Sequence, residues 1–274
     1  MTQSFQASDG TRLAFRDEGA GVPVLCLAGL TRDGRDFDYV APHLADVRLI
    51  RLDARGRGAS ARADPSTYTV PHEAADALAL LDHLGLERAA ILGTSRGGLL
   101  AMAIAASPAR DRLLGVCLND IGPVVAPEGI ETILGYLGLP PPYATVEEAV
   151  LARPSVMKGF EGVPEARWRE EVAKFLVVRE GGGLDIPYDA RLRDAVIATG
   201  AQPAPDLWPF FEALPAPLAA IRGAGSDLLS PETFAEMQRR RPDMIAVEVP
   251  GRGHVPFLDE PEALEAIRSW IARL

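Results

Sequence analysis

The hexapeptide Gly93-Thr94-Ser95-Arg96-Gly97-Gly98 joins a short apolar run to a helical pattern. This is G-x-S-x-G in the strand–turn–helix setting that a nucleophile elbow demands. A turn that sharp strains the serine backbone and pushes its hydroxyl outward. The residues two before and two after the serine must be tiny, because their backbones nearly touch, and Gly93 and Gly97 meet that need. The competing reading is a glycine-rich turn whose serine merely caps the helix.

A serine hydroxyl is a weak nucleophile at neutral pH and needs a base. The chain has four histidines, His43, His72, His83 and His254, and only His254 follows Ser95. It sits in Pro250-Gly251-Arg252-Gly253-His254, just past the last expected strand, where the third member of a Ser…Asp…His order belongs. His72 and His83 read as surface or packing residues, and His43 as a residue of the early loops. The orienting acid must follow a strand between Ser95 and His254. Asp227 and Asp120 both qualify. Asp227 is preferred, because its loop lies beside the His254 loop in a sheet of this order. The run Leu27-Ala28-Gly29-Leu30-Thr31 ends an early strand at a glycine turn. The N–H groups of Leu30 and Arg96 together would make a two-donor oxyanion hole.

These residues need elements to hold them. Apolar runs at 24–27, 47–52, 89–92, 114–118, 218–221 and 245–249 read as strands buried on both faces. Helical patterns at 71–84, 97–106, 231–240 and 261–274 alternate with them. Strand–helix repetition predicts a doubly wound, mostly parallel α/β sheet. Residues 121–215 break the rhythm. They hold most of the aromatic residues, a helical pattern at 164–179, a capping box opening at Thr145 and the triplet Gly181-Gly182-Gly183, read as a loop or hinge. The expected organisation is a core of residues 1–120 and 216–274 with a helical cap inserted at 121–215. Trp168 in the cap and Phe257 beyond His254 are candidates for the pocket wall.

Composition limits the alternatives. With 47% hydrophobic and 24% charged residues, the chain can build a large core, so wholesale disorder is excluded. A net charge of −10 disfavours nucleic acid as a partner. The longest stretch without a charged residue, 132–146, contains three consecutive prolines, so no membrane span is expected. The two cysteines, Cys26 and Cys117, sit in apolar runs, and no C-x-x-C is present. No metal or cofactor is expected, and the N-terminus lacks a signal-peptide pattern, which points to the cytoplasm. The expected partner is a small-molecule substrate.

Five pieces in order now resemble the α/β-hydrolase family, serine-hydrolase branch. They are Leu27–Leu30, the Asp53–Ser60 stretch, the elbow, Gly223–Asp227 and the segment from Gly253 to Glu262. The resemblance spans nearly the whole chain. It implies Ser95 as nucleophile, His254 as base, Asp227 as acid and a cap over the pocket. It departs from the family at Ala28-Gly29, where His-Gly is common, but a backbone donor does not depend on that histidine. The Asp53–Ser60 stretch reads as mainly structural. The reading is hydrolysis of a small ester or lactone through an acyl-enzyme. Carbon–carbon bond hydrolases, cofactor-free perhydrolases and non-catalytic ligand-binding proteins share the same constellation. Arg96 has two readings: a brace paired with Asp120 or with an acid of the Arg32-Asp33 loop, or a pocket residue that recognises a substrate carboxylate.

Overall fold

The computed structural model describes residues 1–200 and 205–274. In chain order the core elements are β1 (Thr2–Gln6), β2 (Arg12–Glu18), β3 (Pro23–Leu27), β4 (Arg48–Leu52), α1 (Val70–His83), β5 (Ala89–Thr94), α2 (Arg96–Ala105) and β6 (Leu113–Asn119). After an insertion come β9 (Leu218–Gly223), α8 (Pro231–Arg240), β10 (Ile245–Val249) and α9 (Pro261–Ile271). The inserted elements are α3 (Pro127–Leu134), α4 (Val146–Val156), α5 (Glu165–Phe175), a hairpin of β7 (Val177–Val178) with β8 (Leu184–Asp185), α6 (Leu192–Gly200) and α7 (Trp208–Glu212). Part of the expected cap, residues 201–204, lies outside the described residues.

One eight-stranded sheet runs β1-β2-β4-β3-β5-β6-β9-β10. From β4 to β10 all neighbours are parallel, and β1 and β2 add an antiparallel edge. Alternate residues of the central strands serve the two faces. Leu25, Leu27, Ile91 and Leu118 pack under α1 and α2, whereas Val24, Cys26, Leu92 and Cys117 join Trp270 and Ile267 of α9. Burial on both faces explains why these runs are continuously apolar. Both cysteines are buried free thiols. The edge strands escape the apolar-run reading because β1 exposes four of its five residues.

The helix signals resolve locally. Ser230 accepts from the Thr233 amide at 3.1 Å at the start of α8. At α4, Thr145 accepts from the Glu148 amide at 3.2 Å, and the Glu148 carboxylate reaches back to the Ala144 amide at 2.8 Å. The pattern expected over 164–179 stops at Phe175, because the β-branched pair Val177-Val178 forms one arm of the hairpin. Gly181, Gly182 and Gly183 all have positive φ and make its turn. No described helix is long and apolar enough to cross a membrane.

Candidate active site

Ser95 sits between β5 and α2 with φ 50° and ψ −117°, a conformation L-residues seldom adopt. A side chain on Gly93 would press on the Gly97 carbonyl carbon at 2.7 Å, and one on Gly97 would collide with the Leu27 carbonyl oxygen. Both glycines are therefore required by the backbone crossing itself. The Ser95 amide donates to the Asn119 carbonyl at 2.9 Å, which ties the turn to the end of β6.

The Ser95 hydroxyl lies 3.0 Å from His254 Nε2, and His254 Nδ1 lies 2.7 Å from Asp120 Oδ2. Asp120 is fully buried at the end of β6, with φ 55°. Its Oδ1 accepts from the Gly223 amide at 2.7 Å, and its Oδ2 also accepts from the Ser226 hydroxyl at 2.6 Å. Three donors thus converge on one carboxylate. Asn119 braces the histidine loop by donating to the Pro256 carbonyl at 3.2 Å.

This geometry corrects the preference for Asp227. Sheet order decides it, because β6 lies between β5 and β9, so the end of β6 is one strand closer to Ser95. The β9 loop presents the Gly223 amide and Ser226 to Asp120. The Asp227 carboxylate instead accepts from the Thr132 hydroxyl of α3 at 3.1 Å, elsewhere on the cavity wall.

The end of β3 reaches the elbow closely enough that a side chain on Gly29 would touch Ser95 Cβ at 3.7 Å. Among the described residues, the Leu30 and Arg96 amides find no acceptor. The loop bearing Leu30 is gripped from behind, where Arg57 Nε donates to the Leu30 carbonyl at 2.7 Å. Arg57 also donates to Glu73 at 2.7 Å, and Arg96 Nε donates to the other Glu73 oxygen at 2.6 Å. Glu73 therefore links Arg96 to Arg57, which in turn grips the Leu30 loop.

This overturns Arg96 as a pocket residue. Its guanidinium turns back to Glu73 and the Tyr68 carbonyl, and it does not line the cavity. The bracing partner is Glu73, which was not among the acids expected for that role. Burial alone would raise the Glu73 pKa, but the guanidiniums of Arg57 and Arg96 outweigh it and hold the carboxyl below its ordinary range. Glu73→Gln leaves the buried Arg57 without a counter-charge. It is expected to cost about 3–5 kcal/mol of stability. Urea unfolding checks this, and a loss below about 1 kcal/mol would contradict the bracing role.

A cavity of about 600 Å³ opens above Ser95 and His254. Leu30, Phe257 and Val255 line it from the core, and Trp168, Tyr136, Phe160 and Arg153 from the inserted segment. Phe160 lies 5.6 Å from Trp168 and 5.4 Å from Phe257, so the two candidate wall residues are bridged by a third ring. Arg167 of α5 holds Asp259 at 2.7 Å and lies over the Tyr39 ring at 3.8 Å, fixing the insertion to the core. His83, on the exposed side of α1, stacks on the buried Phe5, 5.5 Å between ring centres. Among the described residues no cluster of three histidine, cysteine or acidic side chains could hold a metal. Sequence reasoning passed over Ser226, Glu73 and Arg153. For Arg153 the available signal is a charged residue directly after the apolar stretch Ala149-Val150-Leu151-Ala152.

Comparison with known proteins agrees with the fold. The model of the alpha/beta hydrolase family matches residues 24–267. A 3-hydroxybutyrate-oligomer hydrolase of Cupriavidus necator is 39% identical over 91% of this chain and 89% of its own length. A 2-(acetamidomethylene)succinate hydrolase of Mesorhizobium japonicum is 28% identical over 94% of this chain and 91% of its own. The crystal structure of an alpha/beta hydrolase from Novosphingobium aromaticivorans superposes with a TM-score of 0.92 at 40% identity, covering 100% of this chain and 98% of that one. With the elbow, the parallel sheet and a family match across nearly the whole core, the chain belongs to the alpha/beta hydrolase family.

Proposed function

We propose that the protein hydrolyses small esters of hydroxy acids through an acyl-enzyme on Ser95. The observation that carries this reading is the continuous relay from Ser95 Oγ through His254 to Asp120 Oδ2, with links of 3.0 and 2.7 Å. Ser95 Oγ attacks the ester carbonyl while His254 Nε2 takes its proton. The Leu30 and Arg96 amides donate to the oxyanion that forms. His254 then returns the proton to the departing alcohol, and a water repeats the sequence to release the acid. Asp120 holds the imidazole so that Nε2 faces Ser95. The inserted segment 121–215 serves as the cap that selects what enters. The substrate class draws support from the Cupriavidus necator relative, named for 3-hydroxybutyrate oligomers.

The test is labelling by a fluorophosphonate probe, read alongside hydrolysis of a linear 3-hydroxybutyrate dimer. The reading expects a single adduct on Ser95 and release of the monomer. A folded protein that does neither is a ligand-binding member of the fold.

A further inference from the structure

We propose that Arg153 recognises the carboxylate of an anionic ester inside the cavity above Ser95. This deepens the ester-hydrolase reading and rests on it. Arg153 lies on α4, is 8% exposed and lines the same cavity as Ser95 and His254. Among the described residues its Nη1 reaches only the Met157 sulfur, at 3.6 Å, and its buried Nε finds no acceptor. The guanidinium lies over the Phe175 ring, 4.6 Å from its centre.

The comparison with its peers is decisive. The other buried arginines are Arg51, Arg55, Arg57 and Arg222, and each has a carboxylate partner. Among the described residues Arg153 has none. The nearby acids are committed elsewhere. Arg32 lies over Phe175 at 5.5 Å and holds Asp36 at 2.6 Å and Glu171 at 2.7 Å. Asp227, another acid on the wall, accepts from Thr132. Burial pushes the Arg153 pKa down, and the like charge of Arg32 adds to that. A buried charge without a partner is costly, and a protein keeps one where a ligand completes it. A guanidinium offers a planar fork suited to a carboxylate, and stacking on Phe175 holds that plane in place.

Two substrates isolate the effect. One is the linear 3-hydroxybutyrate dimer with its free carboxylate. The other is the same dimer capped as a primary amide, which keeps the scissile ester and removes the charge. For Arg153→Met, the ratio of kcat/KM on acid to kcat/KM on amide is expected to fall about 30-fold or more, mostly through KM. A ratio within about threefold of wild type would overturn the proposal. If that variant does not fold, the wild-type protein gives the answer. Free 3-hydroxybutyrate should competitively inhibit hydrolysis of the capped dimer, and 3-hydroxybutyramide should not. Equal inhibition by the two would likewise overturn it. Failure of the underlying reading looks different: Ser95→Ala would still cleave the capped dimer. Ser95-dependent cleavage without acid preference rejects the role of Arg153 alone.

Discussion

Ser95→Ala is expected to lower kcat by about 10⁴–10⁶ while the protein keeps its fold. The loss is large because in the proposed mechanism the hydroxyl forms the covalent intermediate, and among the described residues it is the hydroxyl within hydrogen-bond distance of His254 Nε2. Stability changes little, because the Ser95 side chain makes one hydrogen bond, to that imidazole, at 3.0 Å. The positive φ of 50° is borne equally by serine and alanine, so the elbow pays no new strain. The amides of Leu30 and Arg96 remain in place, which leaves oxyanion stabilisation as the source of residual activity. Hydrolysis of the hydroxybutyrate dimer and a thermal melt check both halves. Turnover within about tenfold of wild type, with contaminating esterase excluded, would remove Ser95 from the chemistry.

Much of this arrangement is legible in the sequence, and the parts that are not share a physical reason. The central parallel strands announce themselves because burial on both faces demands apolar runs, as in Val24-Leu25-Cys26-Leu27. The elbow is legible because Gly93 and Gly97 answer a steric demand local to six residues. The acid is another matter. Asp120 and Asp227 both follow strands, and the choice depends on which strand lies next to β5, a fact of sheet order that no local window contains. Arg96 fails in the same way. Its partner Glu73 comes from α1, 23 residues earlier, and the pairing exists only once α1 packs beside α2. The antiparallel edge is hidden for the opposite reason: solvent reaches most of β1, so little apolar signal was needed there. Arg153 is visible as a letter, but its meaning lies in what does not surround it.

The sharpest test of that correction is a pair of isosteric changes. Asp120→Asn is expected to lower kcat by about 10⁴, and Asp227→Asn by less than about tenfold. Asp120 accepts on both oxygens, from the Gly223 amide on Oδ1 and from Ser226 and His254 on Oδ2. An asparagine has one oxygen and one donor group, so it cannot satisfy both sides. If its oxygen stays on the Gly223 amide, its NH₂ faces His254 Nδ1 and must find a lone pair there. That fixes the proton on Nε2, and a protonated Nε2 cannot accept from Ser95. If the amide flips, its NH₂ meets the Gly223 N–H, donor against donor, at a fully buried site. Each orientation sacrifices either the tautomer or a buried hydrogen bond. Asp227 carries no such conflict. Its carboxylate is half-buried and among the described residues accepts from Thr132 alone, a bond that an asparagine oxygen retains. Single-turnover rates for both variants on one ester decide the matter. A larger loss at Asp227 than at Asp120 would mean that the acid acts from the β9 loop and that the relay through Asp120 serves only to anchor the histidine.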